Sequence, residues 1–125
     1  MNFLFVALGG SLGAVARYCI GSFINSNVNA QFPYGTLFVN VTGSFVIGFL
    51  FAMFERLSLP NELKLLLITG FLGAYTTFSS YSLETVRLAM EGKMSVALVN
   101  FLLNNGLCLA CTVLGMAASA SLLKR

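Results

Sequence analysis

The chain has 125 residues, 58% of them hydrophobic and 9% charged, with a net charge of +3 and no histidine. Ordinary globular domains carry about 25% charged residues, so this composition excludes a water-soluble surface, and at about 20 apolar residues per crossing the length holds four spans and short links. The seven basic residues are scattered along the chain rather than clustered on one face, which argues against a nucleic-acid partner and for contact with the headgroups of a lipid bilayer.

The first span is expected over residues 3–24. It carries Gly9 and Gly13 at the GxxxG spacing that lets helix backbones approach closely. It lacks the basic n-region and clear cleavage site of a signal peptide, so it reads as a retained span. Arg17, inside or near its end, reads as a vestibule residue or a structural anchor. Residues 25–33, with three Asn and a Pro, form a polar loop.

The second span is expected over residues 34–54, closing at Glu55 and Arg56. Within it Thr36, Asn40 and Ser44 recur every fourth residue as one polar stripe. The fourth span, residues 95–122, repeats the pattern with Asn100, Asn104, Cys108 and Thr112. Such stripes act as helix glue, at about 1 kcal/mol or less per bond. Where three spans face one another they also suit a polar path for a small anion, because amides and hydroxyls replace lost hydration.

The third span is expected over residues 62–90, longer than a crossing needs. Gly70 and Gly73 followed by β-branched Thr76 and Thr77 point to a break near its middle. Freed carbonyls at a break can hold a hard cation such as Na⁺; the alternative is a glycine contact face with the threonines bonded back to their own helix. Phe78 and Tyr81 share one helix face beside a Ser/Thr cluster. Their electropositive ring edges can meet an anion without the deep trap of a buried lysine, or the rings simply pack in a core. Glu84 lies one to two turns beyond. After a tight polar link at residues 91–93 the fourth span begins.

With four crossings Arg56, Lys64, Lys124 and Arg125 share one side, opposite Arg87 and Lys93. This positive-inside bias is weak, and it fits either a single orientation or insertion both ways as an antiparallel pair. Cys108 and Cys111 have CxxC spacing but no histidine or second CxxC to complete a zinc site, so they read as small packing residues.

Three stretches in order, GGSLGAVARY at 9–18, GTLFVNVTGSF at 35–45 and GFLGAYTTFSSYS at 70–82, resemble the CrcB/Fluc fluoride channels, and the likeness covers nearly the whole chain. The resemblance implies an all-α membrane protein of four transmembrane helices, the third broken near its middle. It further implies an antiparallel dual-topology homodimer in the plasma membrane, whose two pores pass F⁻ passively out of the cytoplasm and exclude Cl⁻. A structural Na⁺ at the dimer centre would be held by the carbonyls of Gly73 and Thr76. The fluoride pore would take Asn40, Phe78 and Tyr81, with a polar track of Ser79, Ser80, Ser82 and Thr112, and Glu84 would sit towards a vestibule. The chain departs from the family at Tyr81, where phenylalanine is usual, and at Ser80, where threonine is usual.

The chemistry agrees with the resemblance. Fluoride is small and strongly hydrated, so a pore must supply several donors without a full positive charge that would hold the ion. Hydrogen fluoride entering from acid surroundings dissociates in a near-neutral cytoplasm, and a passive exit for F⁻ suffices. Two rival readings are a proton-coupled small multidrug-type transporter, which needs a carboxylate in the first span that is absent here, and a non-transporting assembly subunit. Without His or Asp there is no Ser-His-Asp triad and no HExxH zinc site, so the chain is not expected to be an enzyme.

Overall fold

A computed structural model describes residues 1–124, so Arg125 lies outside the described residues. The described chain is all helical. Helix α1 (Asn2–Asn27) and helix α2 (Tyr34–Leu57) are joined by a polar loop, and α2 starts directly after Pro33, whose fixed φ and missing N–H suit a helix start. Ser58 closes α2 in the left-handed region, with φ 49°. Helix α3 covers 61–75 and is α-helical at Asn61–Lys64, π-helical at Leu65–Leu72 and α-helical again at Gly73–Tyr75.

Thr76 and Thr77 follow with extended backbone, at φ/ψ of −80°/155° and −147°/114°. Helix α4 (Phe78–Met90) starts at once, with the Thr77 side chain accepting from the Ser80 N–H as its cap. It ends in a Schellman turn: Lys93 N–H bonds the Leu88 carbonyl, Gly92 N–H bonds the Ala89 carbonyl, and Gly92 takes φ 81°. Helix α5 (Met94–Leu122) completes the chain, with a π-helical segment at Leu103–Leu107.

Helices α1, α2 and α5 are each long and apolar enough to cross a membrane, which makes several crossings of one chain the natural arrangement. Large apolar side chains such as Leu8, Leu12, Phe51, Leu109 and Val113 point outward. Lipid is as good a solvent for them as a protein interior, so helix association rests on close packing and polar contacts instead. The small core is Val39, Leu72 and Tyr75, flanked by Ala16, Ile20, Ile47, Leu50 and Phe71.

The glycines supply the close packing. A β-carbon at Gly13 would collide with the Phe71 carbonyl, and one at Gly9 with the Leu66 carbonyl, so α1 rests directly on the backbone of the π-helical part of α3. On the other side α2 lies along α5, with Gly48 against the Thr112 carbonyl and Gly115 against the Phe45 carbonyl. The gap at Thr76 and Thr77 is thereby held against the polar stripe of α2.

Candidate functional site

Asn40 is buried on α2 and reaches into the gap between α3 and α4. Its Nδ2 donates to the Thr77 carbonyl at 3.1 Å, and its Oδ1 accepts from the Thr77 N–H at 2.8 Å. Extended backbone takes the Thr77 N–H away from the Gly73 carbonyl, and the Asn40 oxygen replaces that lost bond, while the Asn40 N–H adds a bond to the Thr77 carbonyl at the start of α4. Only one flip of the Asn40 amide satisfies an N–H and a carbonyl together, so its orientation is fixed.

From Asn40 a chain of side-chain bonds crosses to α5 and back to α4. The other Nδ2 hydrogen goes to Asn104 Oδ1 at 2.9 Å. Asn104 Nδ2 donates to the carbonyl and the Oδ1 of Asn100, at 3.0 and 2.9 Å. Asn100 Nδ2 donates to Thr85 Oγ1 at 2.9 Å, and that hydroxyl donates to the Tyr81 carbonyl at 2.7 Å. Asn100 and Asn104 are buried, where unpaired amides would be costly, and every amide hydrogen of Asn40 and Asn104 has an acceptor. An anion that takes a hydrogen bond from Asn40 must therefore displace a protein acceptor.

Phe78 and Tyr81 meet edge to face, with ring centroids 5.2 Å apart and planes at 71°. Tyr81 is 6% exposed and Phe78 is 74% exposed, so the pair runs from the protein interior to its outer face. A cavity of about 220 Å³ lies beside them, lined by Asn40, Ser44, Thr77, Phe78, Tyr81, Asn104 and Asn105. A second cavity of about 220 Å³ is lined by Arg17, Ser22, Thr36, Thr77 and Ser80. Thr77 and its neighbours separate the two. A third, of about 270 Å³, is lined by Asn25, Glu84, Arg87 and Glu91.

Glu84 Oε1 accepts from the Thr36 hydroxyl at 2.7 Å, which ties α4 to the start of α2. Arg17 Nε donates to the Ala74 carbonyl at 3.0 Å, at the C-terminal end of α3, where a positive charge meets the negative end of the helix dipole. Arg17 thus braces α3 while also lining the second cavity.

The residues expected to hold a cation can be tested by their donor chemistry. In an unbroken helix the Gly73 carbonyl would accept from the Thr77 N–H, and the Thr76 carbonyl from the Ser80 N–H. Here those N–H groups go to Asn40 Oδ1 and Thr77 Oγ1. Both carbonyls are left without a helical donor, and neutral hard oxygens of this kind fit Na⁺.

The remaining expected residues are scattered. Ser80 accepts from the Thr77 hydroxyl at 3.1 Å and lines the second cavity. Ser79 is exposed, 3.4 Å from the same hydroxyl. Ser82 is half-buried and lines none of the three cavities. Thr112 is bonded back to the Cys108 carbonyl at 3.1 Å and also lies outside them. Sequence reasoning placed Thr77 at the break but did not single out Asn105, which contacts Tyr81. The adjacent Asn104 and Asn105 in an apolar run were the available signal.

The model of the family described as CrcB-like protein, Camphor Resistance (CrcB), matches residues 4–116. Among curated proteins the chain is 47% identical to the fluoride-specific ion channel FluC of Magnetococcus marinus over 117 residues, covering 93% of this chain and 95% of the relative. It is 48% identical to the FluC protein of Shewanella sp. strain ANA-3 over 114 residues, covering 91% and 92%. The FluC protein of Methylococcus capsulatus is 47% identical over 111 residues, which cover 88% of this chain and 49% of that longer relative.

Proposed function

This chain belongs to the CrcB family, whose curated relatives are ion channels and not enzymes, and from that premise we propose that it is a passive, fluoride-selective channel that exports F⁻ from the cytoplasm. The observation that carries the reading is the cavity at the Phe78–Tyr81 pair, where the amides of Asn40, Asn104 and Asn105 and the hydroxyls of Ser44 and Thr77 stand beside apolar Ile47 and Cys108 with no charged side chain. Neutral donors and ring edges compensate a small anion's hydration without binding it too tightly to leave.

In this reading the ion enters a polar vestibule. Arg17, with the Ser22, Thr36 and Ser80 hydroxyls around it, raises the local anion concentration there. The ion then passes the Thr77 turn and runs along the aromatic edges of Phe78 and Tyr81, with Asn40 exchanging one amide bond for it. Glu84, held by Thr36 near the third cavity, stays off the narrow part, where a carboxylate would repel the ion. Selectivity over chloride follows from a path too narrow for the larger ion's best contacts.

The working unit is an antiparallel dual-topology homodimer in the plasma membrane with two pores. Phe78 is 74% exposed in a single subunit, so a pore wall on its open side calls for a second copy. The gap between α3 and α4 is a functional break inside the membrane, and Gly73 and Thr76 hold a structural Na⁺ there through their carbonyls. When bound, that ion would supply a fixed positive charge opposite these two carbonyls. Fluoride efflux from liposomes carrying the purified protein, against a chloride control, tests the reading.

A further inference from the structure

The cavity beside Phe78 holds fewer free hydrogen-bond donors than its lining suggests. Asn40 and Asn104 spend both amide hydrogens on protein acceptors. Asn105 does the same, its Nδ2 donating to the Phe101 carbonyl and to the Tyr81 hydroxyl oxygen, each at 2.8 Å. The Tyr81 phenol therefore accepts a hydrogen bond, and among the described residues no protein acceptor takes its own hydrogen. A phenol on a residue only 6% exposed, with a free hydrogen beside a cavity, is a donor in search of an acceptor.

The position of Asn105 depends on the π-helical segment Leu103–Leu107. The wider π turn reduces the angle between successive residues, so Asn104 and Asn105 both reach the cavity, the first towards Asn40 and the second towards Tyr81. Asn105 also anchors itself on the Phe101 carbonyl one turn back, which leaves its second N–H aimed at the phenol oxygen.

We propose that the Tyr81 hydroxyl is a hydrogen-bond donor that this cavity offers to fluoride, and that Asn105 is the positioning residue that turns the phenolic hydrogen towards the ion. The proposal rests on the channel reading. A phenol O–H to a small anion is a charge-assisted bond, short and strong for fluoride and weaker for chloride. Because Asn105 donates to the phenol oxygen, it also polarises the O–H towards the anion.

The test uses the full-length protein labelled with tyrosine carrying ¹³C at the ring ζ carbon, titrated with NaF and, separately, with NaCl. Tyr81→Phe identifies the Tyr81 signal by its loss, and fluoride efflux from liposomes is measured in parallel. The expected result is a saturable shift of the Tyr81 signal with NaF and little with NaCl. Tyr81→Phe should raise the half-saturating fluoride concentration for flux by about tenfold, as loss of one charged-group hydrogen bond would. Asn105→Leu should weaken the shift and raise the same concentration, and should add nothing once Tyr81→Phe is present. A wild-type protein that conducts fluoride with an unmoved Tyr81 signal, or an Asn105→Leu effect equally large with and without Tyr81→Phe, would overturn the proposal and leave the channel reading standing. Absence of fluoride flux from folded wild-type protein would overturn the channel reading, and the proposal with it.

Discussion

The side-chain amide of Asn40 bonds both backbone groups of Thr77, the N–H at 2.8 Å and the carbonyl at 3.1 Å. One polar residue on α2 thereby stands in for the missing helix bond of the Thr77 N–H and fastens the first carbonyl of α4. Asn40→Leu would leave the Thr77 N–H unpaired, at about 1–3 kcal/mol, and would also strip Asn104 Oδ1 of its donor. The expected outcome is a clear fall in thermal midpoint in detergent and at least a tenfold loss of fluoride flux. Asn40→Asp should fail similarly, because it keeps the acceptor for the N–H but sets an oxygen against the Thr77 carbonyl.

Packing of α1 on α3 gives a second prediction. A methyl group at Gly13 meets the Phe71 backbone, whereas one at Gly21 meets nothing within 4 Å. Gly13→Ala should cost about 1–3 kcal/mol through overpacking. Gly21→Ala should be neutral or stabilise by up to about 1 kcal/mol from helix propensity. Thermal unfolding of the two variants side by side checks the contrast.

Arg17 offers a third. Its Nε bonds the Ala74 carbonyl at the end of α3, so Arg17→Met should lose about 1–2 kcal/mol from the charge-assisted bond and the helix dipole together. Arg17→Lys keeps a cation that can reach the same end and should lose less. Thermal midpoints read the difference directly.

The Gly73 and Thr76 carbonyls give a fourth. If they bind Na⁺ in the folded protein alone, Na⁺ at tenfold its dissociation constant adds about 1.4 kcal/mol of stability. Replacing Na⁺ by N-methyl-D-glucamine should lower the thermal midpoint, and returning Na⁺ should restore it in a concentration-dependent way. An unchanged midpoint would remove the cation from the account.

The helical class and the apolar spans were legible because continuous apolar runs of about 20 residues satisfy their backbone bonds within a bilayer as helices, whereas barrel strands are short and alternate in polarity. The TTFS segment was legible as a special place because Gly73, Thr76 and Thr77 disfavour a plain helix together. The identity of the group that holds it was not. Asn40 belongs to a three-residue stripe that reads equally as glue, and only its distance to Thr77 shows it bonding across 37 residues of sequence. Thr112 shows the converse, since it continues the α5 stripe in sequence yet bonds its own helix. Periodicity assumes 3.6 residues per turn, and the π turn at Leu103–Leu107 breaks that phase. Asn105, one residue off the stripe, therefore reaches Tyr81.

The most direct test of the central claim is fluoride efflux from liposomes containing the purified protein, read by an ion-selective electrode, with chloride-loaded liposomes and Phe78→Ile alongside. The channel account predicts rapid fluoride release, little chloride release and loss of fluoride flux in Phe78→Ile, whose aliphatic side chain fills the space without an electropositive ring edge. No fluoride release from well-folded protein, or equal release of chloride, would contradict it.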